Sequence, residues 1–432
     1  MNKWRDLANK KWDDLKDITW REVRLGEYIE TLKWNAFKSS IYKNIGIPVV
    51  RASNFTQESI EKDNIVYIDY DKSYERFILN KRDVLCQTVG SWLNNPNSLV
   101  GKVVRVPHYL DGAYLNQNIV KIIPIEGLNN DFLFYRLKVE DYKHYCVDNA
   151  QGAANQASIT LKTIRRFNFT LPNLEIQEKI ADVLSTYDEL IENNNRRIEI
   201  LEKTAEEIYK EWFVRMRFPG YENTKFIQGI PEGWEVKKIG NIITKLESGK
   251  RQKSNNEEEK TVVSLGAGDI KGLGEYSNSN EYLIPYTFFK EMNKGVVEDK
   301  DIAIYKDGAY TGKTTMFRDQ FPYSEIAVNE HVFLVQCKDY KLQNYLLFTL
   351  MQNSYFDLMQ ILSMTSAQPG LNQSKFKNIK IEVPTKNLID EFHGISEIHL
   401  KEIFNLAKQN QNLIKQRDLL LPRLMNGTIE VK

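Results

Sequence analysis

Apolar residues near the middle of the chain recur at alternating spacings of three and four. The seam runs through Ile180, Leu184, Tyr187, Ile191, Asn194, Ile198, Leu201, Ala205, Ile208 and Trp212. This period is typical of a helix that packs along one stripe against another helix. At 1.5 Å per residue, a helix over residues 176–212 would be roughly 55 Å long, more than a small domain requires. The pattern therefore predicts a spacer helix or a pairing helix.

A second seam with the same phase begins at Leu388. It runs through Phe392, Ser396, His399, Ile403, Leu406, Asn410, Leu413, Arg417, Leu420 and Leu424. A shift of 212 residues places Ile180 on Phe392 and Leu201 on Leu413. Since a polar residue on a seam can fix helix register, Asn194 and Asn410 are predicted to face it.

An alternating segment that ends in proline precedes each predicted helix, Phe167–Pro172 in one case and Ile379–Pro384 in the other. Proline cannot continue a strand ladder, so both segments are interpreted as strands that end there. A similar strand and helix therefore occur twice, which indicates an internal duplication of the chain.

Matching segments also precede these two strands that end in proline, which we call the exits of the modules. The predicted pairs are the openings Trp20–Glu27 and Trp234–Asn241, the strands Ile47–Arg51 and Thr261–Leu265, Asp83–Gly90 and Asp301–Gly308, Asn116–Val120 and Asn329–Phe333, and the helical stretches Asn130–Tyr145 and Lys341–Leu362. The loops between matching strands differ in length and content. Similar scaffolds with different loops indicate one task performed on different targets.

These patterns predict an α+β chain with five parts. They are an N-terminal helical lead-in over 1–18, a first module over 19–172, a central long helix over 173–218, a second module over 219–384 and a distal long helix over 385–432. The length of 432 residues agrees with two or three domains.

Composition and charge limit the cellular compartment and the classes of partner that are expected. The three cysteines, Cys86, Cys146 and Cys337, lie far apart, which disfavours a disulfide framework or a structural zinc and fits a reducing cytoplasm. The sequence shows no long apolar run and no apolar leader, so neither a membrane span nor a signal peptide is expected. The net charge is +1, and a non-specific DNA binder is usually more basic. Charge alone therefore identifies no partner.

No motif in the sequence is specific for catalysis, for a metal or for a nucleotide. Gly308–Thr314 resembles a phosphate loop, but three residues separate its glycines where four are needed to wrap phosphates. Glu235-Val-Lys237 has a spacing found in nucleases and frequently by chance, and Asn94–Asn97 lacks the aromatic residue of the amino-methyltransferase motif. The five histidines form no pair at metal-ligand spacing. The sequence predicts no catalytic residues, no metal and no cofactor.

The duplicated order of motifs resembles the specificity subunit of a Type I restriction–modification enzyme, over about residues 19–430. The resemblance is carried by the Trp-x-x-x-x-Leu/Ile-Gly openings at Trp20 and Trp234, the strands at Asp83 and Asp301, the exits Gln156 to Pro172 and Gln368 to Pro384, and the Glu-Ile-Gln-Glu start of the helix at 175–178. The second copy departs from the family pattern, because Asn387–Phe392 lacks the glutamine.

The resemblance implies two target recognition domains in a pseudo-twofold arrangement, joined by two long antiparallel coiled-coil helices. Each domain would read one half of a split asymmetric site in double-stranded DNA. A spacer of roughly 55 Å corresponds to roughly 16 base pairs. Two methyltransferase (modification) subunits and the restriction subunits would dock on this non-catalytic framework. Two alternatives stay open: a structural or interaction protein that does not bind DNA, and a standalone restriction or modification enzyme.

Polar and cationic side chains at strand ends are the predicted DNA contacts, because these side chains reach base edges and phosphates. They are Arg51, Asn54, Gln87, Ser91 and Asn94 in the first module, and Lys250, Arg251, Lys306, Tyr310, Thr311 and Lys313 in the second.

Overall fold

A computed structural model gives the fold and describes residues 20–33, 36–56, 58–62, 64–93, 98–153, 156–252, 259–276, 281–364 and 370–431. The helix expected over residues 1–18 and the candidate Asn94 lie outside the described residues. The chain divides into two compact units, Met1–Glu189 with Ile414–Lys432, and Leu190–Leu413. In the described part of the chain, no helix is both long and apolar enough to cross a membrane.

The first unit contains a strand-rich module. Its strands are β1 (Trp20–Arg24), β2 (Ile29–Lys33), β3 (Ile47–Val50), β4 (Val66–Ile68), β5 (Val84–Gln87), β6 (Val89–Gly90), β7 (Val103–Arg105), β8 (Tyr114–Leu115), β9 (Ile119–Pro124), β10 (Gln151–Ala153), β11 (Gln156–Ser158) and β12 (Asn168–Pro172). Its helices are α1 (Asn130–Lys138), α2 (Glu140–Asp148) and α3 (Leu161–Arg165), followed by the central helix α4 (Leu174–Tyr209). The strands form sheets in the orders β1-β12, β2-β9-β5-β7, β4-β3-β8 and β10-β11-β6.

The second unit repeats this plan. Its strands are β13 (Phe226–Ile227), β14 (Ile230–Pro231), β15 (Glu235–Lys238), β16 (Ile243–Ser248), β17 (Lys260–Leu265), β18 (Leu283–Pro285), β19 (Ile302–Tyr305), β20 (Thr314–Met316), β21 (Ile326–Val328), β22 (Val332–Cys337) and β23 (Lys380–Val383). Its helices are α5 (Ile239–Ile242), α6 (Tyr286–Glu291), α7 (Leu342–Leu350), α8 (Asn353–Met364) and α9 (Gln373–Asn378), followed by the distal helix α10 (Lys386–Met425). The sheets β15-β23, β16-β22-β19-β20 and β18-β17-β21 match three sheets of the first unit, strand for strand.

The duplication extends to the hydrogen bonds that close each module. The opening strand pairs antiparallel with the exit strand in both units, β1 with β12 and β15 with β23. At the end of each pair, the amide of Leu25 donates to the carbonyl of Phe167, and the amide of Ile239 donates to that of Ile379, both at 2.8 Å. Each module therefore begins and ends on the same two-stranded base, and the helix leaves from there.

Each of the two predicted helical stretches, Asn130–Tyr145 and Lys341–Leu362, is a pair of helices. Val139 has an extended backbone (φ −66°, ψ 144°) and separates α1 from α2. Arg136 spans the break with two hydrogen bonds to the carboxylate of Asp141, at 2.8 and 2.6 Å. A single extended residue between apolar turns leaves the apolar pattern almost unchanged, so the periodicity did not reveal the break.

The long helices pack against each other within each unit. In the first unit, Ile180 and Leu184 share a core with Leu421 and Leu424. In the second unit, Ile198 and Ala205 share a core with Phe392, Ile403 and Leu406. Residues near the start of the central helix thus pack against residues near the end of the distal helix. Residues further along the central helix pack against residues nearer the start of the distal helix. The pairing is antiparallel and lies within one chain.

Two asparagines lie on this packed face in the second unit. Asn194 and Asn410 are buried, and the Asn194 amide donates to the Asn410 carbonyl oxygen at 2.9 Å. The Asn410 amide donates in turn to Asn195 at 2.7 Å. The amide pair is therefore satisfied within the helix pair.

Near the end of the central helix, the buried face differs from the predicted seam. Tyr209 and Phe213 are buried, whereas the predicted Ile208 and Trp212 are only partly buried. A straight α-helix drifts about 20° per heptad from a 3.5-residue repeat, so over several heptads the buried stripe moves to the next position. The π-helical turn over Lys210–Val214 continues this shift.

Candidate nucleic-acid interface

Two matching loops each join a sheet's inner strand to its edge strand. We name Gln87–Lys102, between β5 and β7, loop A, and Tyr305–Lys313, between β19 and β20, loop B; residues 94–97 of loop A lie outside the described chain. In loop A the amide of Gln87 donates to the carbonyl of Lys102, and that of Gly101 donates to Gln87, both at 2.8 Å. In loop B the same pair of bonds joins Tyr305 with Lys313 at 2.9 Å and Gly312 with Tyr305 at 2.7 Å. Both loops therefore close on a Gly-Lys dipeptide.

The glycine of each dipeptide is required by its backbone and its surroundings. Gly101 has φ +82° and Gly312 has φ +98°, a left-handed region that favours glycine. A Cβ on Gly101 would lie 2.4 Å from the Cβ of Cys146, and one on Gly312 would lie 3.1 Å from that of Met359. Each loop is therefore pinned against a helix, and the position of the following lysine is fixed.

The sequence pattern identified Lys313 but missed Lys102, its counterpart in loop A. Burial, together with the charge of Lys138, lowers the pKa of the Lys102 ammonium to about 8. Lys313 is exposed. The Gly-Lys dipeptide repeated at the end of both loops is the signal that could have found Lys102.

Loop B is held in place by hydrogen bonds at Thr311, and the neighbouring Tyr310 is exposed. The Thr311 side chain is buried, and its hydroxyl donates to the carbonyl of Gly308 at 2.8 Å. From α8, the Gln360 amide donates to the carbonyl of Thr311 at 2.7 Å. Tyr310 is 61% exposed. Thr311 thus acts as an internal support, while Tyr310 and Lys313 are available for contact.

A chain of charged side chains brings two other candidates together beside loop B. Arg251 Nε lies 3.4 Å from Glu330 Oε1, which lies 3.3 Å from His331 Nε2. His331 Nδ1 lies 3.0 Å from Asp307, and Lys306 Nζ lies 2.8 Å from the same carboxylate. Arg251 and Lys306 are distant in sequence, but the fold places both in one cluster.

Lys250 follows strand β16 and is exposed. The preceding Gly249 packs against β21, since a Cβ at this position would lie only 1.5 Å from the carbonyl oxygen of Val328. The close approach fixes the turn from which Lys250 and Arg251 project.

In the first module, most candidate side chains are buried. The Gln87 amide donates to the carbonyls of Val89 at 2.8 Å and Ser98 at 3.2 Å, so it holds loop A together. The Asn54 oxygen accepts from the Arg51 amide at 3.1 Å. Ser91 is also buried. Arg51 is partly exposed, and its guanidinium donates to the carbonyl of Asn64. Asn54, Gln87 and Ser91 therefore shape the loops from inside.

A buried ion network fixes the first module on both long helices within its unit. Arg417 of the distal helix lies 2.7 Å from Glu58 of the module and 2.7 Å from Asp188 of the central helix. Arg105 of β7 also lies 2.6 Å from Asp188. Burial raises the pKa of Glu58, but Lys138 and Arg417 outweigh that effect and hold it at about 2.

A similar network anchors the second module to the distal helix. Arg318 is buried and lies 3.1 Å from Glu397, and Lys300 lies 2.8 Å from the same carboxylate. Asn344 donates to Glu397 at 3.2 Å. Burial raises the pKa of Glu397, yet these partners lower it to about 2. The sequence placed Arg417 on the seam but gave no sign of either network, because their members are far apart in the chain.

Curated relatives cover most of the chain. The MjaIX specificity subunit of a Type I restriction enzyme from Methanocaldococcus jannaschii is 29% identical over 341 residues, covering 73% of this chain and 73% of its own. The MjaVIII specificity subunit of the same organism is 25% identical and covers 96% of this chain and 93% of its own.

A solved structure supports the fold alone. The S subunit of a Type I restriction–modification system from M. genitalium is 17% identical, covers 94% of this chain and 96% of its own, and has a TM-score of 0.55. The sequence profile of the Type I restriction modification DNA specificity domain matches twice, over residues 17–203 and 231–416. Each match spans one module and most of the helix that follows it, so the chain belongs to the family of Type I restriction–modification specificity subunits.

Proposed function

We propose that the chain is the sequence-specific DNA recognition subunit of a Type I restriction–modification complex. It would read a bipartite asymmetric site, with one half for each module. The observation that carries this proposal is the repeat itself: loops A and B close with the same backbone bonds on a Gly-Lys dipeptide, yet differ in length and side chains. Two modules with the same scaffold and different loops are suited to recognising two different half-sites.

The proposed contacts of the second module are its exposed side chains, Tyr310, Lys313, Lys250 and Arg251. Arginine can bond in bidentate fashion to a guanine edge, and lysine bonds to guanine or to phosphate. Lys306 is less exposed, and it is joined to Arg251 through Glu330, His331 and Asp307. The first module offers Arg51 at the end of β3.

The catalytic steps are assigned to partner proteins. We propose that two methyltransferase subunits dock on the framework of long helices and that restriction subunits join the assembly. This chain would contribute no catalytic residue, metal or cofactor. Each module is anchored to the helices by buried ion pairs, so the direction of the loops would be set by the same framework that receives the enzymes.

Methylation mapping tests this function directly. The chain is expressed with its modification subunits, and the methylated positions in the host DNA are mapped. A split site with two fixed halves is expected. Methylation or cleavage by the purified chain alone would indicate a standalone enzyme, and absence of any DNA selectivity in the assembled complex would indicate an interaction protein.

Variants of loop B sharpen the test. Lys313→Gln and Tyr310→Ala should alter or weaken selection at one half-site only. A lost hydrogen-bonding contact to a base edge should cost about 1–3 kcal/mol at the affected position. Ile227→Ala, at an exposed position in β13, is the matched control and should leave both halves unchanged.

A further inference from the structure

An open groove of about 460 Å³ on the first unit is lined by a group of cations. Arg24 comes from β1, and Lys162, Arg165 and Arg166 come from α3 and its end. Of the described residues that line the groove, only Glu27 is acidic. Arg24, Lys162 and Arg166 are exposed. The groove therefore presents a concentrated positive charge on a chain whose net charge is +1.

The groove is built by the fold. β1 and β12 pair in antiparallel register, with Arg24 opposite Asn168, so Arg24 is brought close to the end of α3. A Cβ on Gly26 would lie 2.8 Å from the Cβ of Arg165, and the glycine thus lets α3 approach closely. The Arg165 guanidinium donates to the carbonyl of Ile29 at 3.4 Å, which fixes its side chain along the groove.

These cations differ from three other arginines of the unit. Arg82, Arg105 and Arg417 all form ion pairs with carboxylates. Within the part of the chain that the structure describes, neither Arg24, Lys162 nor Arg166 forms one. Several like charges lining one groove repel one another, so an anion bound there would relieve the repulsion.

The helix that lines the groove follows a segment that is hydrogen-bonded to loop A. The amide of Ile159 donates to the carbonyl of Thr88 in loop A at 2.9 Å. Thr160 then caps α3, its hydroxyl accepting from the amide of Thr163 at 3.1 Å. α3 has five residues and is about 8 Å long, and it begins two residues after the bond to loop A.

The second module repeats the arrangement with less charge. The amide of Leu371 donates to the carbonyl of Lys306 in loop B at 2.8 Å, and α9 follows. A Cβ on Gly240 would lie 3.0 Å from the Cβ of Lys377, as Gly26 lies against Arg165. Lys238 takes the place of Arg24 but donates to Asn378 at 2.8 Å. Cations at the end of this short helix are thus common to both modules.

We propose that the groove of Arg24, Lys162, Arg165 and Arg166 binds phosphates of the DNA backbone next to the half-site read by the first module. This inference rests on the proposed function and adds a contact outside the predicted reading loops. Guanidinium groups bond phosphate oxygens in bidentate fashion, and such contacts position a protein without reading sequence. The short link from this groove to loop A, and the repeat of the same arrangement in the second module, favour DNA over an acidic protein surface as the occupant.

The test measures the salt dependence of DNA binding by the complex assembled with its modification subunits. Lys162→Gln with Arg166→Gln removes two exposed cations, whereas Lys162→Arg with Arg166→Lys keeps both charges and is the matched control. Each lost phosphate contact should reduce the slope of log K against log salt by about 0.9, so the neutral double variant should lose about 1.8. Between 50 and 200 mM salt, the affinity of the unaltered complex should then fall about 12-fold more than that of the variant. The methylated sequence should stay the same.

An unchanged slope in the neutral variant would overturn the inference. The inference would also be overturned if the neutral variant assembled poorly with the modification subunits and the complex that did form kept an unchanged salt slope. The groove would then bind a protein and not DNA. If the unaltered complex selects no split site at all, the proposed function itself fails. The charge-keeping variant should behave as the unaltered complex does, and a loss of slope there would point to an effect on folding.

Discussion

Single glycines fix the ends of both proposed reading loops. Gly101 and Gly312 combine positive φ with close contact to a helix side chain. The sequence showed both glycines but could not distinguish a pinned glycine from a free one, because the contact partners Cys146 and Met359 lie about 45 residues further along the chain. The same limit applies to candidates such as Gln87 and Thr311, whose burial depends on neighbours that strand periodicity does not identify.

Replacement of Gly101 by alanine should destabilise the first unit by about 3 kcal/mol, the sum of left-handed strain of about 1–2 kcal/mol and the clash with Cys146. Gly112→Ala is a matched control, since Gly112 has φ +83° but would meet nothing within 4 Å. It should cost only the strain. Urea unfolding of both variants checks the difference, and equal losses would show that Gly101 is not pinned.

Glu397 should make stability depend on pH in the acid range. Its pKa in the folded chain, about 2, lies below its ordinary value of 4.5. Its stabilising contribution is therefore fully present above pH 4.5 and is lost as the pH falls from 4.5 towards 2. The lowering of the Glu397 pKa corresponds to about 3 kcal/mol of folding free energy. Little of this is lost to solvent screening, because the carboxylate is mostly shielded from solvent.

Glu397→Gln should lower the free energy of unfolding by about 3 kcal/mol at neutral pH, since Arg318 loses its partner in a buried site. The difference from the unaltered chain should shrink as the pH approaches 2. Glu391→Gln, at an exposed position on the same helix, is the control and should show no such trend. A constant difference across the acid range would contradict the assignment.

At the scale of elements, the long helices could be predicted because their apolar period persists over many turns. Their antiparallel pairing within each unit also agrees with the sequence, which gave both helices the same exit from a strand that ends in proline. The break at Val139 and the shift of the buried face to Tyr209 and Phe213 could not be read, because each changes the pattern by a single position. The ion networks of Arg417 and Glu397 depend on tertiary contact and left no local signal.

The asparagine pair gives a prediction about helix register. Asn194→Leu or Asn410→Leu alone should lower the melting temperature, because the remaining buried amide loses the hydrogen bond between the two side chains. The double leucine variant should melt at or above the temperature of the unaltered chain, since apolar packing replaces a satisfied polar pair. Its register should be looser, as measured by cysteine cross-linking between the helices. A double variant less stable than both single variants would contradict this reasoning.

At the scale of the whole molecule, the duplication is the feature that the sequence revealed most completely. Matching strands, exits and helices were visible in order, and the structure repeats three sheets strand for strand. The identity of the contact residues was less accessible, because a loop sequence does not show which side chains point inward. Of the two Gly-Lys dipeptides, only the exposed lysine was predicted as a contact. The cations of α3 were missed because the three-residue strand β11 before that helix leaves no alternating pattern in the sequence.

The most direct test of independent reading is an exchange of modules. Residues 234–384 include both strands of the β15-β23 pair, so a replacement from a related chain would bring a complete base with it. The hybrid is expressed with the modification subunits, and its methylated sites are mapped. One half-site should change and the other should stay identical, with the gap between them kept. A change in both halves, or an unchanged site, would contradict the account of one reader per half.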